Sequence, residues 1–226
     1  MTTRSRSVAA YPSAPYVVPF VVFVALLGLP SILPAPPLAD AVIRLVLMTA
    51  VILLIARPAL DFSLKAPVSS VLLGVVVFAI WIAPDLLFPG YRHELENAIT
   101  GVAKSSMSPA ALASAPVLTL RTVRAVVIVP IVEELFWRAW MMRWIISPNF
   151  RKIPLGTYSA LSFWVVAVLF ASEHGPYWDV GLAAGILYNW WMVRTRSLGD
   201  LILAHAVTNA CLCAYVIAAG KWEYWL

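Results

Sequence analysis

Five ionisable side chains stand in stretches otherwise apolar enough to lie in lipid: Glu133, Glu134, Arg138, His174 and His205, with Asn209 as a further polar outlier. A charged group at the centre of a lipid-embedded helix costs roughly 2.5–3.5 kcal/mol on insertion scales, so such groups mark either an internal partner or chemistry. In the run RAVVIVPIVEELFWRAWMMRW, Glu133 and Glu134 are adjacent. Adjacent helical residues point about 100° apart, so the two carboxylates cannot do the same work. Glu134 and Arg138 lie four apart and share a face, which is the pattern of a structural ion pair. Glu133 has no cation near it in sequence, and a lone carboxylate in such a setting is a candidate general base or acid.

His174 follows Phe170 by four residues in VAVLFASEHGPYW, and Gly175 and Pro176 then break the helix. His205 and Asn209, again four apart, present two polar groups to one patch, and both residue types can donate to a developing oxyanion. Taken singly, each has a bland reading. A buried histidine is usually a satisfied structural group, Phe170 packs, and Asn209 serves as interhelical glue. A proton or ion path would also use intramembrane Glu and His. A carboxylate, two histidines and an amide on three separate apolar segments are together the parts of a hydrolytic site.

The elements that must position these groups are membrane helices. The chain has 226 residues, 62% hydrophobic and 12% charged, with a mean hydropathy of +0.87. Soluble domains are about 45–50% apolar and about a quarter charged. A soluble fold could not cover this much apolar surface, whereas lipid removes the difficulty. Apolar segments are expected at 16–33, 38–56 (closed by Arg57 and Pro58), 68–83 (closed by Pro84 and Asp85), 117–146, 158–174, 180–193 and 198–219. The expectation is an all-α, polytopic transmembrane helix bundle of seven to eight spans around an intramembrane polar cavity. The proline-rich stretch after the first segment predicts a tight turn. Residues 85–116 hold most of the polar side chains and predict an interfacial helix broken at Pro109. The final KWEYWL reads as an interfacial aromatic anchor.

On these limits His174 sits at the end of its span, Glu133 in the middle and His205 towards the opposite end. A common site therefore requires tilted or broken helices.

The net charge of +5 comes without a compact basic run, so nucleic acid is not an expected partner. Basic residues instead flank spans. With the N-terminus in the cytoplasm, Arg4, Arg6, Arg57, Lys65, Arg143, Arg151, Lys152, Arg194 and Arg196 fall inside, nine against five (Arg92, Lys104, Arg121, Arg124, Lys221). This bias predicts seven spans, and the basic N-terminus leads into an uncleaved first span rather than a signal peptide. Cys211 and Cys213 point roughly 200° apart on a helix and cannot bridge each other. There is no internal repeat, so residues 1–226 read as one membrane domain. The GLAAG stretch (181–185) predicts close helix packing within the chain.

The motifs resemble a known family. EELFWR (133–138) matches EExxxR, FASEH (170–174) matches FxxxH, and HAVTN (205–209) matches HxxxN. These are, in this order, the motifs of the CAAX-protease and bacteriocin-processing (CPBP, or Abi) membrane peptidases. The likeness covers residues 117–219, which would be the catalytic core; residues 1–116 are unrecognised membrane spans. The resemblance implies an intramembrane endopeptidase that cuts near the C-terminus of a membrane-associated protein or peptide. It implies that Glu133 and His174 activate water, that His205 and Asn209 stabilise the oxyanion, and that Glu134 and Arg138 hold the cavity in shape. It leaves metal dependence open: no cofactor is expected, and zinc on Glu133, His174 and His205 is the alternative. No HExxH is present, since HELEN (93–97) lacks the second histidine. The expected residence is a bacterial inner membrane. The alternative function is a non-catalytic protein of the same fold, in bacteriocin immunity or as a scaffold. A transporter is disfavoured because no repeat-related second half exists.

Overall fold

The computed structural model describes residues 11–28, 35–92 and 107–225. Among them the chain forms seven principal helices and no strand: α1 (Ala14–Gly28), α2 (Pro37–Ala59), α3 (Pro67–Leu87), α4 (Ala115–Ile146), α5 (Ala160–Ser172), α6 (Trp178–Thr195) and α7 (Leu198–Ala219). Four of them, α2, α3, α4 and α7, are long and apolar enough to cross a membrane, and α1 and α5 are shorter apolar helices. Only 17–39% of the residues in the four long apolar windows are buried. Large apolar side chains such as Leu54, Val68, Leu72, Leu161 and Trp164 point outwards. An outer surface of this kind is matched to lipid, and with an all-helical backbone it defines an integral membrane protein.

Three expectations need correction. Pro84 does not close α3, which runs on to Leu87. Proline costs one backbone hydrogen bond but has a helical φ, and the last turn proceeds, with Phe88 N–H donating to the Pro84 carbonyl at 3.0 Å. The second helix likewise passes its expected end through a widened π turn (Ile52–Ala56) and a 3-10 turn (Arg57–Ala59). The aromatic tail is no free anchor. After Gly220, at φ +65°, it turns back onto the bundle as the 3-10 turn Trp222–Tyr224. Pro109 opens a single helical turn capped by Ser108. Arg4, Arg6, the HELEN motif (93–97), Lys104 and the end of the first expected span lie outside the described residues.

The loops meet at two ends. At one end, Asp200 accepts from the N–H groups of Lys65 (2.7 Å) and Ala66 (3.0 Å), which would otherwise be unpaired at the start of α3. Lys65 Nζ donates to the carbonyls of Thr195 and Arg196 there. At the other end, Arg92 donates to Asp179 (2.6 Å), to Asp85 (3.3 Å) and to the Pro176 carbonyl (2.7 Å). Lys65 and Arg196 thus share an end of the bundle opposite to Arg92.

Between the ends, α3 and α7 lie against each other because Gly74 has no side chain. A Cβ there would stand 2.7 Å from Val207 Cβ. Thr208 Oγ1 uses the close approach to donate to the Gly74 carbonyl at 2.9 Å. Gly181 and Gly185 of the GLAAG stretch do the same for α6, against the ring of His174 and the backbone of Ala167.

Candidate active site

Helix α4 carries both glutamates, and it is not uniform. Its α-helical turns Val129–Glu134 lie between two π segments, Arg124–Ile128 and Leu135–Met141. Pro130 has no N–H to give to the turn before it, which accounts for the first widening. The two carboxylates leave the helix in different directions, as their adjacency demands. Glu134 turns into the core and Glu133 towards a cavity.

Glu134 and Arg138 are both fully buried. Arg138 Nη1 donates to Glu134 Oε1 at 3.1 Å. The same oxygen accepts from His205 Nδ1 at 2.7 Å, so one carboxylate joins α4 to α7. Arg138 Nε donates to Asn189 Oδ1 (3.0 Å), whose amide in turn donates to the Phe163 carbonyl (2.8 Å). The guanidinium lies over the Phe170 ring, 4.2 Å from its centroid. The arginine thereby touches α4, α5 and α6 at once.

His205 is fixed on both sides. A carboxylate only accepts, so Nδ1 carries a proton, and Nε2 is left 4.0 Å from Glu133 Oε2. Its ring stacks on Tyr188 with centroids 5.1 Å apart. Tyr188 is itself held by donation to Thr208 Oγ1 at 2.8 Å. His174 lies in the turn after α5. Its Nδ1 bonds the Phe170 carbonyl at 2.7 Å, and since a carbonyl only accepts, Nδ1 is the protonated nitrogen and Nε2 is an acceptor. Asn209 is held by donation from Nδ2 to the Ala125 carbonyl at 2.8 Å.

Glu133, His174, His205 and Asn209 all line one cavity of about 180 Å³. The expected conflict in depth does not arise, because His174 hangs from a turn rather than standing in its helix. Glu133 is 7% exposed, and its Oε2 accepts no hydrogen bond from the protein. A buried carboxylate oxygen facing a cavity with room for several waters is where a water or a polar substrate group would bind. The remaining wall is mainly apolar and aromatic, with Trp81, Phe170, Tyr188, Leu212, Tyr224 and Trp225.

Sequence reasoning missed Tyr188, Thr208 and Trp81, because an aromatic or threonine in a membrane helix carries no local signal. It missed Glu173, which accepts from Trp137 Nε1 at 2.7 Å. It also missed Asn189, whose position one turn-face from the GLAAG stretch was a usable hint. For the zinc alternative, no three His, Cys, Asp or Glu side chains among the described residues are grouped as a metal ion would require. Both Nδ1 atoms bond protein acceptors, which leaves the two Nε2 atoms as the ring nitrogens open to a ligand or substrate.

Fold and site define an integral membrane protein whose helices enclose a glutamate–histidine cavity. The model of the type II CAAX prenyl endopeptidase Rce1-like family matches residues 115–211, from the start of α4 to past Asn209. The match is a likeness of this segment, 97 of the 226 residues, to that family. No curated protein and no solved structure matches the chain.

Proposed function

We propose that the chain is an intramembrane endopeptidase that hydrolyses a peptide bond near the C-terminus of a membrane-associated protein or peptide. The observation that carries this reading is Glu133 Oε2, buried, without a protein donor, and 4.0 Å from His205 Nε2 in the cavity that His174 and Asn209 also line. The likeness of residues 115–211 to the type II CAAX prenyl endopeptidase Rce1-like family supports a protease at the level of the class.

In this mechanism Glu133 takes a proton from water, and His174, with Nε2 free to accept, holds that water or receives the proton in turn. The hydroxide attacks the substrate carbonyl; the tetrahedral intermediate then collapses with cleavage of its C–N bond, and the proton taken from water passes from Glu133 or His174 to the departing amine. His205 donates through Nε2 to the oxyanion, and the Asn209 amide donates a second bond. Glu134 orients His205 and pairs with Arg138. The reading needs no metal. It takes all seven helices as spans, the Lys65 end as cytoplasmic, and a bacterial inner membrane as the residence.

The test is a proteomic comparison of membranes carrying the wild-type protein or Glu133→Gln. A membrane protein that is shortened near its C-terminus only with the wild type supports the proposal. Identical peptide termini in both would favour a scaffold or immunity role.

A further inference from the structure

Two arginines away from the cavity carry more donors than the protein satisfies. Arg44 on α2 is 5% exposed. Its Nε donates to both oxygens of Asp40, one turn earlier, at 2.8 and 2.7 Å. Its Nη1 and Nη2 donate to no described residue, and they are not sealed in. Arg124 opens the π turn Arg124–Ile128 of α4, which packs against Pro37–Val51 of α2. It is half-buried and donates to no described residue, and across the helix contact its charged neighbours are Arg44 and Asp40. Two guanidiniums therefore face one carboxylate, and Arg44 already occupies it. Arg121, a turn back on α4, adds positive charge nearby but is engaged by the Trp225 ring and by other groups, and is no part of the pair.

An arginine in a membrane helix needs water or an anion at its head. The level of the pair favours the anion. With 32 residues, α4 is about 48 Å long against about 30 Å of hydrocarbon. Centred in the bilayer, it overhangs by about 9 Å at each end, so Arg124, about 13 Å from the start at Ala115, sits close to the lipid phosphates. Arg44 meets it from the second turn of α2. One turn deeper, both helices turn apolar side chains outwards: Leu47, three residues after Arg44, and Val127, three after Arg124, are exposed. Guanidiniums at the phosphate level above an outward apolar strip match a lipid headgroup and its acyl chains.

We propose that Arg44 and Arg124 bind the phosphate of an anionic phospholipid in the groove between α2 and α4. Asp40 fixes the Arg44 fork through Nε, which leaves Nη1 and Nη2 to the phosphate oxygens, and Arg124 closes on the same headgroup. The lipid then ties α2 to the helix that carries Glu133. This site is independent of the peptidase reading.

The full-length protein, purified in neutral detergent, is titrated with phosphatidylglycerol or phosphatidylcholine, and retained lipid is counted by native mass spectrometry. One phosphatidylglycerol per chain should be held, at least tenfold more tightly than phosphatidylcholine, whose choline the arginines repel. Arg124→Gln strands no protein acceptor, so the chain should fold, yet it should weaken retention at least tenfold, the scale of a lost hydrogen bond to a charged group. Arg124→Lys keeps the charge without the planar fork and should fall between the two. Thermal unfolding gives a second reading: phosphatidylglycerol should raise the melting temperature of the wild type and not that of Arg124→Gln. Equal retention of the two lipids, equal retention by wild type and Arg124→Gln, or displacement of the lipid by millimolar inorganic phosphate, which would make the ligand a free anion, would each overturn the proposal.

Discussion

His205 Nδ1 and Glu134 Oε1 meet at 2.7 Å across 71 positions of sequence, and through that bond the carboxylate of an ion pair on α4 sets the ring of a histidine on α7. Glu134 therefore does more than neutralise Arg138. It fixes which nitrogen of His205 faces Glu133, and so links the stability of the bundle to the geometry of the cavity.

The first expectation concerns the base. Glu133→Gln keeps shape and removes the proton acceptor, so cleavage should fall by roughly 10²-fold or more, the scale of general-base loss. Melting temperature and yield should stay close to wild type, since Glu133 Oε2 has no protein donor to lose. Full cleavage by the purified variant would show that the carboxylate is not the base.

Arg138→Met should behave differently. It leaves Glu134 charged and buried, and removes the bond to Asn189. Breaking such a pair from one side costs roughly 3–5 kcal/mol, so yield and denaturation midpoint should both drop. Unaltered unfolding with abolished activity would instead make Arg138 a group that contacts substrate.

Metal dependence can be decided with the purified protein. Activity should survive exhaustive treatment with a membrane-compatible chelator. Asn209→Ala should lower the turnover rate more than it raises KM, by the 2.7–4 kcal/mol (roughly 10²–10³-fold) typical of an oxyanion donor. Stoichiometric zinc, with activity lost on chelation and restored by the metal, would overturn the metal-free mechanism and leave the peptidase reading standing.

Two glycines separate packing from positioning. A Cβ on Gly181 would stand 3.2 Å from the His174 ring, and one on Gly74 2.7 Å from Val207 Cβ. Gly74→Ala should therefore loosen α3 from α7, at the roughly 1–3 kcal/mol of overpacking, visible as a lower melting temperature. Gly181→Ala should reduce turnover several-fold with little loss of stability, because it shifts a histidine ring by tenths of an ångström. The opposite ranking in thermal unfolding and kinetics would refute this division of roles.

The sequence by itself determined where the apolar helices run. Apolar runs end where charge and proline begin, so the expected segment 198–219 coincides with α7, and 117–146 lies within α4 (Ala115–Ile146). It also named four of the polar residues that line the cavity, Glu133, His174, His205 and Asn209, since such a group in an apolar run stands out without any structure. Overruns came where proline, read as a stop, was tolerated in α3 at the cost of one hydrogen bond. Only the tertiary structure decided the rest: the His205–Glu134 bond, the wall of Trp81 and Tyr188, the drop of His174 from a turn to the depth of Glu133, and the folding of Tyr224 onto Asp85, 139 positions away. Span limits depend on hydrophobicity summed along the chain, which is local. Which face of one helix meets another depends on small residues, π turns and long-range hydrogen bonds whose partners no local pattern names.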